Sequence, residues 1–168
     1  MLSVALVEDS PAIRRRLQSL LEGIDGVSVV GHAEDVGGAV ALLDASRPDV
    51  VVLDVALRDG DRGMTVLQFL RRAHPSTEVI AMSNFSWHAM KQGFIDAGAA
   101  AYFDKATEFQ AARDWIEARS RRGRDAVKSS TPAERGADST DAAGATPQKR
   151  WQPGEGPCRA RQRSQDEP

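Results

Sequence analysis

One cysteine, Cys158, stands in 168 residues, so neither a disulfide within the chain nor a cysteine-based zinc site is available. Long apolar runs are missing too. None approaches the roughly 18 consecutive apolar residues of a spanning helix, so no membrane partner is expected. The opening Met1-Leu2-Ser3-Val4-Ala5-Leu6-Val7 has no basic stretch before it, and Glu8-Asp9 interrupts it after seven residues. That excludes an ordinary signal peptide, and the expected location is cytoplasmic. No internal repeat is present. From about Ser120 apolar patterning is lacking as well: Ser, Thr, Gly, Ala, Pro, Arg and Asp dominate, and Trp151 is almost the only large apolar residue. Such a segment buries too little surface to offset its ordering entropy. The expectation is a domain over 1–119 and a low-complexity, disordered tail over 120–168.

Charge divides at the same place. Residues 1–118 hold 11 Lys and Arg against 17 Asp and Glu, a net of −6, whereas 119–168 hold 11 against 7, a net of +4. In the acidic part, short apolar runs alternate with stretches of helical spacing. Leu2–Val7 reads as a strand, and Ser10-Pro11 supplies a capping hydroxyl and a first-turn proline for a helix with Ile13, Leu17, Leu20 and Leu21 on one face. Gly23 is its stop. Strands follow at 27–31, 50–53, 78–82 and 100–103. The helices between them carry Val36, Val40 and Leu43; Val66, Leu67 and Leu70; and Met90 and Phe94 within 86–97. Thr107 is placed to cap a last helix bearing Phe109, Ala112 and Ile116. Five alternations in about 120 residues imply a parallel sheet with helices on both faces.

Ligands of open α/β sheets sit beyond the carboxyl ends of the strands. That edge should gather Glu8 and Asp9 after the first strand, Asp54 after the third, Ser83 after the fourth and Lys105 after the fifth. Three carboxylates crowded together raise one another's pKa unless a cation joins them. Mg²⁺, which takes hard oxygens from one or two carboxylates together with phosphate and water, suits the set. Asp9 and Asp54 would ligate it directly and Glu8 through water. Asp54 is the natural nucleophile for an acyl phosphate, with Lys105 and the Ser83 hydroxyl holding phosphoryl oxygens.

With Val7-Glu8-Asp9-Ser10-Pro11, Val51-Val52-Leu53-Asp54, Ala81-Met82-Ser83 and Tyr102-Phe103-Asp104-Lys105 each ending the appropriate strand, the chain resembles a response-regulator receiver domain of two-component signalling, over roughly residues 2–118. The resemblance implies a doubly wound five-stranded parallel sheet of the flavodoxin-like (βα)5 kind. It also implies transfer of a phosphoryl group from a histidine kinase or phosphotransfer protein to Asp54, in a phosphoacceptor switch that assists its own phosphorylation and dephosphorylation. The backbone carbonyl of Ala56 would complete the metal site, Ser83 would move toward the phosphoryl group, and Tyr102 would turn inward. A downstream protein target would read the 86–118 face, with Trp87 a contact, and the same face is the candidate surface for a homodimer. Several positions depart from the family pattern: Ala106 replaces a proline after Lys105, Asn84 replaces a small residue after Ser83, and Arg58-Asp59 replace a proline-containing turn.

Taken singly, Asp54 is an ordinary loop carboxylate, and its register with Glu8, Asp9 and Lys105 gives it weight; Tyr102 reads equally as a plain edge aromatic or as a switch. His32, His74 and His88 sit in unrelated contexts and read as structural or exposed. Gly60 and Gly63 read as turn glycines. The run Arg119-Ser120-Arg121-Arg122-Gly123-Arg124 reads as a solvated helix end, where cations also suit the dipole. A DNA-binding effector needs roughly 60 patterned residues, which the tail does not offer, so a single-domain regulator acting by protein contact is expected and DNA binding is not. A DNA-associating regulator using the basic tail and a phosphorylation-independent pseudo-receiver are the alternatives. An aspartate phosphatase of the haloacid dehalogenase type is disfavoured, because its nucleophile follows the first strand and has a second aspartate two residues on.

Overall fold

The computed structural model describes residues 1–58, 62–84 and 87–129, the last four by backbone only. Strands β1 (Leu2–Val7), β2 (Val27–Ala33), β3 (Val50–Asp54), β4 (Glu78–Ser83) and β5 (Ala101–Asp104) alternate with helices α1 (Pro11–Glu22), α2 (Val36–Ser46), α3 (Gly63–Ala73), α4 (His88–Asp96) and α5 (Phe109–Ser129). All pairings are parallel, in the order β2-β1-β3-β4-β5, a doubly wound flavodoxin-like sheet. Alternate side chains go to opposite faces. Ala5, Val7, Val51 and Leu53 meet Leu43 of α2, Val66, Leu67 and Leu70 of α3 and Phe94 of α4. Val4, Leu6, Val50 and Val52 meet Leu17 and Leu21 of α1 and Ala112 and Ile116 of α5. β3 is buried throughout, which explains its unbroken apolar sequence. Each such Val, Leu or Ile contributes about 2 kcal/mol by burial.

Local chemistry sets the ends of these elements. The Ser10 hydroxyl accepts from the Ile13 amide at 3.5 Å, Pro11 opens α1, and Gly23 caps it. Asp35, unremarked in the sequence reading, caps α2 by accepting from the Gly38 amide at 2.7 Å, which compensates for the glycines that open that helix. β2 runs two residues beyond Gly31 because a bulge at Val30 lets it re-pair with β1 through His32 and Ala33; the bulge also twists this edge strand. Helix α4 begins at His88 and not at 86, a residue outside those described, and β5 lies one residue later than 100–103. Thr107 is not the residue before α5: the turn closes from the Glu108 amide to the Asp104 carbonyl, and the Glu108 carboxylate returns to the Asp104 amide at 2.7 Å.

The largest departure is at the end of α5. The apolar pattern stops near residue 119, yet the helix runs to Ser129. Ser120 is buried and donates to the Asp25 carbonyl at 3.2 Å, Arg124 donates to the same carbonyl at 2.7 Å, and Arg119 pairs with Glu78. The basic run is a solvated helix end only in part: Arg121 and Arg122 are exposed and bond within α5, whereas Arg119 and Arg124 hold the helix against the start of β4 and the α1–β2 turn. Hydrogen bonds there replace the apolar stripe that the sequence lacks. Residues 130–168, including Trp151 and Cys158, lie outside the described residues.

Candidate functional site

Strand register brings the site together. Val7 pairs with Leu53, Asp54 with Met82 and Ser83 with Asp104, so Glu8, Asp54, Ser83 and Lys105 leave the sheet within a residue or two of one level. The Lys105 amide donates to the Ser83 carbonyl at 2.7 Å and the Val55 amide to the Met82 carbonyl at 3.0 Å, which extends the ladder past the strand ends and fixes both side chains in place. Lys105 Nζ lies 2.7 Å from Glu8 Oε2 and 2.6 Å from Asp54 Oδ2. All three residues and Ser83 are buried; Asp9 is half-buried.

A carboxylate oxygen from each of Glu8, Asp9 and Asp54 lies within 4.8 Å of the others, and the one ammonium among them pairs with Glu8 and Asp54. Burial pushes the Glu8 carboxyl above its ordinary value; the Asp54 charge adds to this, while the Lys105 hydrogen bond and charge and the Ser10 amide oppose it. Such a group is short of positive charge. Hard oxygens at this spacing fit a divalent cation of the Mg²⁺ type. Asp54 is further oriented by the Ala56 amide, which donates to its Oδ1 at 3.1 Å. Ala56, the fourth residue assigned to the metal, is exposed at the start of the loop after β3.

That loop explains Gly63. The Gly63 amide donates to the Val55 carbonyl at 3.0 Å, and a Cβ on Gly63 would lie 2.1 Å from the Asp54 carbonyl oxygen. Close approach of α3 to the end of β3, and not turn conformation, requires the glycine. Gly60 is outside the described residues. Tyr102 is buried, its ring edge-on to Phe94 at 6.0 Å between centroids. Of the histidines, His74 contacts Asp44 at 2.7 Å and Phe69 edge-on, and His88 lies beside Lys91 and Tyr102 on the outer face; neither belongs to the acidic group.

Two residues at the site were missed in the sequence. Arg14 Nη1 donates to the Glu8 carbonyl at 3.1 Å and to Glu34 Oε1 at 2.9 Å, and Arg58 Nη2 lies 3.4 Å from Glu34 Oε2. Neither stands out in the sequence: Arg14 is one of three consecutive arginines and Glu34 one of two consecutive acids. The only signal in the sequence was the departure at Arg58 from the family turn.

Comparison with known proteins points to one family. The family model described as the response regulator receiver domain matches residues 4–117. The chain is 36% identical over 105 residues to the DNA-binding transcriptional activator DevR/DosR of Mycobacterium tuberculosis, covering 62% of this chain and 48% of that protein. It spans about half the length, or less, of the curated relatives it matches. A two-component response regulator of the LuxR family from Aurantimonas sp. SI85-9A1 superposes with a TM-score of 0.66 at 28% identity, covering 71% of this chain and 84% of that one. The signal receiver domain of the putative response regulator NarL from Mycobacterium tuberculosis gives 0.65 at 26% identity, over 71% and 96%.

Proposed function

The chain belongs to the response-regulator receiver family of two-component signalling, and from that premise we propose that Asp54 is its phosphoacceptor. One observation carries the reading: Asp54 shares a buried ammonium with Glu8 and lies within 4.8 Å of the carboxylates of both Glu8 and Asp9, a cluster that needs added positive charge and would then expose an anionic nucleophile. In the transfer, a carboxylate oxygen of Asp54 forms a bond to phosphorus while the donor's P–N bond (phosphohistidine) or P–O bond (acetyl phosphate) breaks. The leaving imidazole or acetate departs with the electron pair. Mg²⁺ held by Glu8, Asp9, Asp54 and the Ala56 carbonyl would neutralise charge developing on the phosphoryl oxygens. Lys105 would exchange part of its pairing with Asp54 for a phosphoryl oxygen, and the Ser83 hydroxyl would donate to another.

Phosphorylation adds about −1.5 to −2 charges. Driving a two-state receiver from mostly off to mostly on takes about 5.5 kcal/mol of preference for one state. Contacts to Ser83 and Lys105 are the candidates, since both leave strands that carry α4 and α5. Tyr102 is buried edge-on against Phe94 of α4 within the 86–118 face. There Trp87 is 68% exposed, next to a cleft of about 470 Å³ lined by His88, Lys91, Tyr102, Asp104, Thr107 and Glu108. A protein target, or a second copy of the chain, would bind that face. The receiver unit is taken to end with α5 and not at 119. Among the described residues, no helix is long and apolar enough to cross a membrane.

Incubation with acetyl phosphate and Mg²⁺ followed by peptide mass mapping should place one phosphoryl group on Asp54, and Asp54→Ala should remove it. Labelling that persists in Asp54→Ala refutes the assignment.

A further inference from the structure

Glu34 and Arg58 pair at the carboxyl end of the sheet. Glu34 follows β2, Arg58 lies in the loop after β3, and β1 stands between these strands. Parallel neighbours are about 4.8 Å apart, so the β2 and β3 ends are separated by roughly 10 Å. A side chain joining them must pass over the end of β1, where Glu8 and Asp9 emerge. Ala33 anchors the near side, its carbonyl accepting from the Glu8 amide at 2.9 Å. Both Glu34 oxygens are in use, one by Arg14 at 2.9 Å and the other by Arg58 at 3.4 Å.

The two arginines differ in freedom. Arg14 has a 14% exposed side chain and a second bond to the Glu8 carbonyl, so it is fixed. Arg58 is 54% exposed, and its contact with Glu34 is the longer of the two. It stands four residues beyond Asp54 on the nucleophile's own loop. An exposed ion pair of this kind is weak, and an incoming dianion can displace its carboxylate.

We propose that Arg58 captures the anionic end of small-molecule phosphodonors at the mouth of the pocket, with Glu34 competing against the donor for its guanidinium. The inference rests on Asp54 being the phosphoacceptor. A cation there offsets the repulsion that the carboxylate cluster exerts on a phosphate dianion and raises its local concentration. Arg58 thus acts in donor binding and not in bond formation, so its removal alters the half-saturating donor concentration and leaves the maximal rate in place.

Rates of acetyl-phosphate labelling of the full chain at saturating Mg²⁺, measured against donor concentration, test this. Arg58→Ala should raise the half-saturating concentration roughly threefold, with the maximal rate little changed, and Arg58→Lys should restore most of the loss. Glu34→Gln should lower the half-saturating concentration, because the guanidinium is freed and a negative charge is gone. Raising the salt should weaken donor binding more in the wild type than in Arg58→Ala. A merely structural latch would shift Arg58→Ala and Glu34→Gln in the same direction; that result, or unchanged values in both, overturns the proposal. Absence of labelling at Asp54 in the wild type fails the phosphoacceptor reading instead, and is scored before the variants are compared.

Discussion

At the carboxyl end of the sheet two carboxylates share one ammonium with a third close by; at the amino end, the polar groups find partners of their own. Glu8 and Asp54 pair with Lys105, and Asp9 lies beside them. At the opposite end Asp49 accepts from the Ser3 hydroxyl and amide at 2.7 and 2.8 Å, Glu78 pairs with Arg119, and Ser120 and Arg124 both satisfy the Asp25 carbonyl. One end leaves a deficit of positive charge in a buried place, and the other is balanced. A buried imbalance costs stability and persists where binding relieves it, which makes the unbalanced end the candidate working end, while the contacts at the other end hold the fold.

The contrast is broken most directly at Lys105. Lys105→Met leaves Glu8 and Asp54 buried without their cation and should lower stability by about 3 kcal/mol, measured by urea unfolding without divalent metal. Mg²⁺ at tenfold its Kd should return about 1.4 kcal/mol. The sign with pH follows from Glu8. Its raised pKa means that the folded state binds this proton more tightly than the unfolded chain. Without metal, stability is therefore favoured below the ordinary value of 4.5 and declines as pH rises through the raised value. The gain from Mg²⁺ should shrink toward acid pH. A loss under about 1 kcal/mol in Lys105→Met would show that the cluster is less unbalanced than its geometry implies.

At the amino end, smaller effects are expected. A chain stopped at residue 119 loses the Ser120 and Arg124 bonds to Asp25, each worth about 1 kcal/mol, and should be about 2 kcal/mol less stable than a chain stopped at 129. Equal melting temperatures would return the domain boundary to 119. The smallest effect is at Asp49. Burial tends to raise its pKa, but hydrogen bonds from the Ser3 hydroxyl and amide and the Arg119 charge bring it below its ordinary 3.8. Asp49→Asn should cost a little stability at pH 7, and the difference from wild type should close as pH falls below 3.8, read by thermal melts across pH. A difference that persists at pH 2 would mean that shape, not charge, is lost.

Arg14 and Asp54 show why some of this was legible in advance and some was not. Asp54 ends a run of apolar residues, and a charge after a buried strand has few places to go except the ligand edge of a parallel sheet. Arg14 sits in Arg14-Arg15-Arg16 on α1 with nothing to distinguish it from its neighbours; only helix phase against the Glu8 turn gives it a partner. The same holds for α5 beyond residue 119. Periodic apolar residues reveal a helix that packs through its core face, but this helix continues on hydrogen bonds to a turn nearly a hundred residues earlier. Gly63 was noticed as a glycine but assigned to a turn, because the Asp54 carbonyl that excludes its Cβ is brought there by the chain reversal after β3.

By itself the sequence determined the order of strands and helices, the two-sided burial of the sheet and the identity of the acidic and lysine positions at its carboxyl edge. These follow from alternation, capping residues and runs of apolar side chains, all of which act over a few neighbours in the chain. Only the tertiary structure decided that Arg14, Glu34 and Arg58 meet over β1, that α5 closes on Asp25, and that Glu8 is the carboxylate pushed up by burial. Those depend on distances between residues remote in sequence, and electrostatic energy follows separation in space.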